Sequence, residues 1–349
     1  FKQKTAYEIK ECDWSSDVCS SDLTMNPIRP LCLILLAAPA SSALAQAPSG
    51  AKWPEKPVRM IVPFPPGGTT DIVARLVGPK LTEAHKQPVV IDNRSGASGM
   101  IGGEAIARAP ADGHTLGVII STHAISPALF AKSAVDPARD FAPVTLAISV
   151  ANVISVHPSV PATSIGDLIK LAKAQPGKLS FGSAGTGTVV HLTGELLKSV
   201  ARVDITHVPY KGGGPALIDV MGGHVEGMFA TVPSAVTHIT SGKLKALVVT
   251  SRKREAALPG VPDANEAGLP GLIVSTWNGV LAPLATPRPI VNTLNAAIAK
   301  VARTPEMTER YAAQAAEVYI TTPEQYATVI REDFAKWSRV VKEIGLKPN

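Results

Sequence analysis

The sequence predicts an α/β fold with two lobes and largely parallel sheets. Strand-like and helix-like segments alternate along most of the chain, which is the pattern of parallel strands covered by helices. The chain has 349 residues, of which 45% are hydrophobic and 18% charged, so it can bury a large core. Two extended apolar stretches, 146–156 and 274–281, flank a block of the size of one domain. We interpret these stretches as crossovers between the lobes.

The first 45 residues differ from this pattern. Residues 1–24 lack hydrophobic periodicity and are set aside as a non-native or disordered leader. Residues 25–45 have the composition of a secretory signal peptide, because Arg29 precedes a short apolar run that ends in small residues. The apolar run is shorter than the roughly 20 residues needed to span a bilayer. We therefore predict cleavage near Ala45/Gln46 and a periplasmic protein.

Cysteine content and charge exclude several function classes. Cys12, Cys19 and Cys32 all precede the predicted cleavage point. The mature chain therefore has no disulfide, thiol nucleophile or thiolate metal site. The formal net charge of +6 favours anionic ligands, but the basic residues are scattered and do not indicate nucleic-acid binding.

The segment 58–77 predicts a strand, a glycine-rich turn and a helix. The apolar run stops before Gly67 and Gly68, after which apolar residues recur at helical spacing. Thr69 or Thr70 is expected to cap the helix. Backbone N–H groups at a helix start have no partner within the helix, and the helix dipole favours a negative charge there. We therefore expect this turn to bind an anion.

A second turn repeats this arrangement in the other predicted lobe. The segment 179–197 again places glycines between a strand and a helix, and Ser183, Thr186 and Thr188 add hydroxyl groups to the N–H groups of the turn. Alone, such a turn is more often a plain connection. Its pairing with the first turn favours two anion-binding helix starts that face one cleft.

A third turn, 209–215, is expected to place Pro215 at the first position of a helix. Tyr210 then lies at a strand end, where it either bonds a carboxylate or packs between the lobes, and Lys211 is expected to be a solvated charge. Further strand–helix pairs are predicted at 88–92 with 98–109, 178–182 with 188–200 and 204–208 with 215–221, and two terminal amphipathic helices at 289–303 and 323–344.

Several ordered motifs between Trp53 and Lys347 carry a specific resemblance. They are Ile61-Val-Pro-Phe-Pro-Pro-Gly-Gly68 with Asp71, Asp92-Asn-Arg-Ser-Gly96, Ala111-Asp-Gly-His-Thr-Leu116, Phe181-Gly-Ser-Ala-Gly185, His207-Val-Pro-Tyr-Lys-Gly212 and Gly279-Val-Leu-Ala-Pro283. Together they resemble the Bug-type (TctC-like) substrate-binding proteins of tripartite tricarboxylate transporters.

The resemblance implies a two-lobed, periplasmic-binding-protein-like fold of the type II class, with a cleft between lobes of two mostly parallel sheets and flanking helices. Lobe 1 is expected to combine 46–150 with 277–349, and lobe 2 to hold 151–276. It also implies a small carboxylate ligand, which is bound through backbone amides, hydroxyls and water and delivered to permease subunits in the membrane. We further expect a monomer. Asp71 then either caps the first helix or contacts the ligand through water.

Two departures from the family pattern bear on the ligand. Ser126 stands where the family often has Asn, and Ala230 stands where many members have Asp. Loss of that acid removes a partner for a ligand ammonium, so a mono- or dicarboxylate is favoured over an amino acid. The predicted ligand-binding residues are Phe64, Gly67, Gly68, Thr69, Thr70, Asp71, Ser126, Ser183, Ala184, Thr186, Gly187, Thr188, Tyr210 and Thr231.

Two alternative functions remain open at this stage. A secreted hydrolase would use Ser183, but Gly182-Ser-Ala-Gly185 lacks the Gly-x-Ser-x-Gly pattern, and His191 and His207 show no metal-ligand spacing. The same binding fold acting as a ligand sensor for a signalling partner is the other alternative. No catalytic residue, metal site or cofactor is predicted, because no nucleophile, base and orienting group occur together and the dinucleotide-binding glycine pattern is absent.

Overall fold

The computed structural model describes residues 53–129 and 135–346. The predicted leader, 1–24, and the predicted signal peptide, 25–45, lie outside the described residues. Within the described ranges, no helix combines the length and the apolar character that a membrane crossing requires.

Strands and helices alternate as the sequence predicts. The first elements are β1 (Val58–Val62), α1 (Thr69–His85), β2 (Val89–Asn93), α2 (Met100–Ala107), β3 (Thr115–Ile120), α3 (Thr122–Leu129) and β4 (Phe141–Val156). They are followed by α4 (Ile165–Ala174), β5 (Ser180–Ser183), α5 (Val189–Ala201), β6 (Thr206–Pro209), α6 (Gly213–Met221), β7 (Gly227–Thr231), α7 (Val232–Thr240) and β8 (Lys245–Val249). The last are β9 (Ser275–Pro283), α8 (Arg288–Ala302), α9 (Pro305–Ala313), β10 (Ala316–Val318) and α10 (Pro323–Glu343).

The described strands form one continuous sheet with the order β2-β1-β3-β9-β4-β7-β5-β6, while β8 and β10 also pair with β4. The pairs β1–β2, β1–β3, β5–β6 and β5–β7 are parallel. Every antiparallel pair involves β4 or β9. The α/β class is thus confirmed, and parallel pairing prevails among the strands that lead into the three predicted turns.

β4 connects the two halves of the sheet. Its residues 141–151 pair with β9 and its residues 152–156 pair with β7 and β8. We call β1, β2, β3, β9 and β10 with their helices the first half, and β5 to β8 with theirs the second half. Both predicted crossovers are strands of this connection, since β9 covers most of 274–281. The lobe boundaries at 150/151 and 276/277 stay a prediction.

Apolar side chains fill both faces of the sheet. In the first half, α1 and α8 pack on one face through residues such as Val73, Leu81 and Ile298. The last helix buries Trp337 and Val341, which confirms the packing face predicted for it, although Phe334 on the same helix is 42% exposed. This arrangement fixes the helix starts at the ends of the strands.

A glycine in β9 tests how tightly the first half is packed. A Cβ added at Gly279 would overlap the buried ring and hydroxyl of Tyr326, whereas a Cβ at Gly260 would meet open space. We expect Gly279→Ala to lower the free energy of unfolding by about 1–3 kcal/mol, since an overpacked core must shift its side chains. Urea unfolding beside the control Gly260→Ala measures this. Equal stability of the two variants would contradict the packing described here.

Candidate functional site

A cavity lies where the two halves of the sheet meet. Its accessible volume is about 50 Å³. One water needs roughly 10–15 Å³. The cavity thus admits a small molecule. Its lining residues are Phe64, Gly68, Thr69, Thr70, Ile120, Thr122, Ala184, Thr188, Val189, Val190, Gly213, Phe229, Ala230, Thr231, Ser234 and Thr276.

Helix starts surround this cavity. Among the described helices, α1, α3, α5, α6 and α7 each begin at or directly after a lining residue. The first N–H groups of a helix have no partner inside it, and the helix dipole places partial positive charge at this end. An anion in the cavity therefore meets several partial positive charges at once.

The lining residues themselves are uncharged. They combine hydroxyl groups with apolar walls, to which Phe64, Ile120 and Phe229 contribute. None of the lining residues is ionisable. A bound anion would therefore be held by dipoles and hydrogen bonds instead of an arginine clamp, while the walls contact a carbon skeleton.

The first turn differs in one detail from the prediction. Gly68, not Thr69 or Thr70, is the N-cap residue of α1, and its φ of −84° is open to any residue. The two threonines are the first helical residues and line the cavity. Gly67 is the residue with positive φ, at +87°. No side chain caps α1, because glycine has none, and the backbone at this position is left open.

Asp71 supports this turn from behind the cavity. Its carboxylate accepts hydrogen bonds from the Gly67 N–H at 3.1 Å, from Arg75 at 2.9 Å and from Asn93 at 3.0 Å. Burial alone would raise the pKa of Asp71, but these hydrogen bonds outweigh burial and lower it. Neither Gly67 nor Asp71 lines the cavity. Asp71 therefore orders the turn that presents Gly68.

The second turn is held in a similar way. Thr188 caps α5 by accepting from the His191 N–H at 3.3 Å and lines the cavity together with Ala184. The Gly187 N–H donates to His191 Nδ1 at 3.1 Å, and the Thr186 carbonyl accepts from Ser98 at 2.6 Å. Thr186 and Gly187 do not line the cavity.

Ser183 belongs to a buried polar cluster beneath this turn. The residue is fully buried, and its Oγ lies 2.6 Å from Nε2 of His207, whose ring centroid lies 4.0 Å from that of His191. Burial and the neighbouring His191 lower the pKa of His207 to about 3. Burial would raise the pKa of Glu195, but His191 and Lys198 outweigh it and lower the pKa to about 2. The cluster supports the turn, because the Gly185 N–H donates to Ser183 Oγ at 3.1 Å. Ser183 itself does not line the cavity.

Two further predicted residues also make contacts inside the protein. The Tyr210 hydroxyl donates to Asp219, and burial together with Asp219 raises the pKa of Tyr210 to about 12. Ser126 is buried and donates to the His123 carbonyl at 3.0 Å. Neither lines the cavity.

Pro215 is the third residue of α6, not the first, because the helix begins at Gly213. Proline is tolerated there, since the N–H groups of the first turn have no helical partner.

Half of the predicted residues therefore meet at the cavity, and the others do not line it. Those at the cavity are Phe64, Gly68, Thr69, Thr70, Ala184, Thr188 and Thr231. Sequence analysis did not select the lining residues Ile120, Thr122, Val189, Val190, Gly213, Phe229, Ala230, Ser234 and Thr276 as ligand-binding. A signal for two helix starts was present, because Ser121-Thr122 follows an apolar strand and Thr231-Val-Pro233 places a proline early in α7. Their role in ligand binding is a proposal.

Comparison with known proteins identifies relatives along nearly the whole chain. Residues 73–346 match the model of a family described as "Tripartite tricarboxylate transporter family receptor". A protein in the tcbD-tcbE intergenic region of a Pseudomonas species is 38% identical, covering 96% of this chain and 99% of its own length. Protein BugT of Bordetella pertussis is 36% identical, covering 88% of this chain and 95% of its own length.

Solved structures agree in fold. A periplasmic transporter of 40% identity, covering 85% of this chain and 100% of its own, gives a TM-score of 0.83. R. palustris Rpa4515 with adipate is 37% identical, with the same coverage and TM-score. MatC from Rhodopseudomonas palustris with bound malate is 34% identical, covering 83% of this chain and 100% of its own, with a TM-score of 0.79. The predicted periplasmic-binding-protein-like fold is confirmed.

The His207 cluster predicts a dependence of stability on pH. Neutral His207 stabilises the fold, because its folded pKa of about 3 lies below the ordinary 6.5. That stability is present above about pH 6.5 and is lost as the pH falls from there toward 3, since the unfolded chain takes up the proton first. We expect the free energy of unfolding to fall from about pH 7 to 5 by more in the wild type than in His207→Gln. Urea unfolding at both pH values tests this, and equal decreases would contradict it.

Proposed function

This chain belongs to the tripartite tricarboxylate transporter receptor family, and from that premise we propose that it captures a small mono- or dicarboxylate and delivers it to a membrane permease. The observation that carries the proposal is the uncharged cavity at which the described helices α1, α3, α5, α6 and α7 begin. Relatives of similar fold have been solved with adipate and with malate. Both are dicarboxylates, which this arrangement of helix starts suits.

The lining favours a carboxylate without an ammonium group. Ala230 lines the cavity, and none of the lining residues is ionisable. An ammonium ion there would lose its hydration without gaining a charged partner. The apolar walls contributed by Phe64, Ile120 and Phe229 suit a hydrocarbon segment between two charged ends. Micromolar affinity corresponds to about 8 kcal/mol, a magnitude that charge-assisted hydrogen bonds at both ends can supply together with lobe closure.

The site favours binding over catalysis. The hydrolase alternative gains a short Ser183–His207 contact, but the Ser183 hydroxyl is fully buried and lies outside the cavity lining. A nucleophile must reach its substrate. The sensor alternative uses the same cavity. It differs only in that a signalling partner, instead of a permease, recognises the ligand-bound protein. Export through the signal peptide at 25–45, with cleavage near Ala45/Gln46, and a monomeric state in the periplasm complete the proposal.

Calorimetry with a series of carboxylates tests the proposed function. Acetate, succinate, malate, adipate and citrate are titrated into the purified protein, and we expect at least one mono- or dicarboxylate to bind without conversion. Mass spectrometry of the recovered ligand detects any product. Absence of binding throughout the series, or steady product formation from one compound, would refute the proposal.

Gly68 provides a variant that tests the location of the site. A Cβ there meets only the Pro65 carbonyl at 3.9 Å, and the φ of −84° suits any residue. Gly68→Val is therefore expected to fold with unchanged thermal stability and to lose binding by 100-fold or more, because its side chain enters the cavity. Gly260→Val, at an exposed glycine with open space around it, is the control. Retained affinity in Gly68→Val would place the site elsewhere.

Ligand-driven closure of the two halves is a further expectation. Thr69 on α1 and Thr231 at the end of β7 lie on opposite halves, with their hydroxyl oxygens 2.5 Å apart. A ligand shifts the open–closed equilibrium only through contacts that the closed form alone provides. We expect adipate or malate, whichever binds, to reduce the radius of gyration in small-angle scattering, and Thr69→Val to weaken that response. Thr293→Val on the surface of α8 is the control, and an unchanged radius at saturation would contradict hinge closure.

A further inference from the structure

Asn278 in β9 has a fully buried polar side chain without hydrogen-bond partners among the described residues. Among the described residues, neither its Nδ2 nor its Oδ1 has a hydrogen-bond partner, and the residue is 0% exposed. A buried polar group without a partner destabilises the folded protein. In folded proteins such groups generally pair with protein, water or a ligand. The carboxamide of Asn278 is therefore available to a molecule other than the protein itself.

The register of the sheet places this side chain on the cavity side. Asn278 lies directly opposite Ile120 of β3 and two residues along β9 from Thr276. Side chains directly opposite in an antiparallel pair, and side chains two residues apart on one strand, project from the same face of a sheet. Ile120 and Thr276 both line the cavity. Asn278 thus projects to the same face, next to these two residues. It is not itself a lining residue, but unlike Ser183, whose hydroxyl contacts His207, its side chain has no partner among the described residues.

A neighbouring asparagine shows the contrast. Asn152 is also fully buried, but its Oδ1 accepts from the Thr276 hydroxyl at 2.8 Å and its Nδ2 donates to Thr193 at 2.9 Å. Ser121, which follows Ile120, has a buried hydroxyl without a partner among the described residues. Its N–H donates to the Trp277 carbonyl at 3.1 Å, so Ser121 adjoins Asn278 along β9. The unpartnered carboxamide of Asn278 and the unpartnered hydroxyl of Ser121 thus lie near each other at the end of β3.

The chemistry of a carboxamide specifies its partner. It offers N–H donors and a carbonyl acceptor, and a carboxylate, which only accepts, would leave the carbonyl unpaired. An uncharged O–H group both accepts and donates. We propose that Asn278 binds an O–H group next to Ile120 and Thr276, either a hydroxyl of a bound carboxylate that reaches past these two residues or a water that the ligand retains. Asn278 is then a specificity-determining residue among carboxylates of equal charge; this inference rests on the proposed carboxylate binding.

Calorimetry with two matched pairs tests this role. Succinate is compared with malate, and glutarate with 2-hydroxyglutarate, in the wild type, Asn278→Leu and Asn278→Ala. If the O–H group belongs to the ligand, the wild type prefers the hydroxylated member about tenfold or more, and both variants bring the ratio close to one. If it belongs to a water, the wild type binds both members alike and the variants weaken both by a similar factor of about ten.

Controls separate this role from a purely structural one. Tyr326→Phe removes a buried, unpartnered hydroxyl that lies against Gly279 on the opposite face of β9, and it is expected to leave all affinities unchanged. Asn278→Ala keeps the test valid if leucine overpacks the site, and thermal unfolding without ligand verifies both variants. Unchanged affinities in a folded Asn278 variant would overturn the inference while leaving carboxylate binding intact. Failure of the wild type to bind any carboxylate would instead refute the proposed function, and this inference with it.

Discussion

The structure depends on one property of the α-helix, namely that its first N–H groups have no partner within the helix. In a strand–turn–helix unit, the helix begins at the carboxyl end of the strand, and parallel strands bring these ends to a common edge. Among the described helices, α1, α3, α5, α6 and α7 begin at one cavity in this way. An uncharged lining can therefore attract an anion, because the backbone supplies the partial positive charge.

The turns require support that lies behind the cavity. Asp71 holds the Gly67 N–H, and His191 holds the Gly187 N–H, so neither of these donors faces the ligand. Each turn consequently consists of a layer that lines the cavity and a buried polar layer that orders it. This division explains why conspicuous polar residues, such as Ser183 with its contact to His207, lie outside the lining. A chemically suggestive residue type near a site is therefore no evidence of direct ligand contact.

The long strand β4 gives the two halves a common element. Its first part pairs with β9 and its last part with β7 and β8, so the cavity lies beside a continuous backbone connection. Contacts between the two halves are both polar and apolar. The Thr69 and Thr231 hydroxyls meet, and Ser98 donates to the Thr186 carbonyl. Ile125 and Trp337 of the first half share a buried apolar cluster with Val189 and Leu192 of the second. Hydrogen bonds of this kind exchange readily with water. Closure of the halves around a ligand, as proposed above, would therefore have to rearrange both kinds of contact.

The sequence by itself determined the α/β class, the order of strands and helices, and the glycine-rich turns around Gly68 and Thr188, because periodicity and turn composition are local properties. It also located much of the lining, including Thr70 and Ala184. Only the tertiary structure decided which residues of each turn face the cavity and which, like Asp71 and Tyr210, turn to internal partners. It alone brought Ile120 and Thr276, which are 156 positions apart in the chain, to one face with Asn278, since strand register is a long-range property that no local pattern encodes.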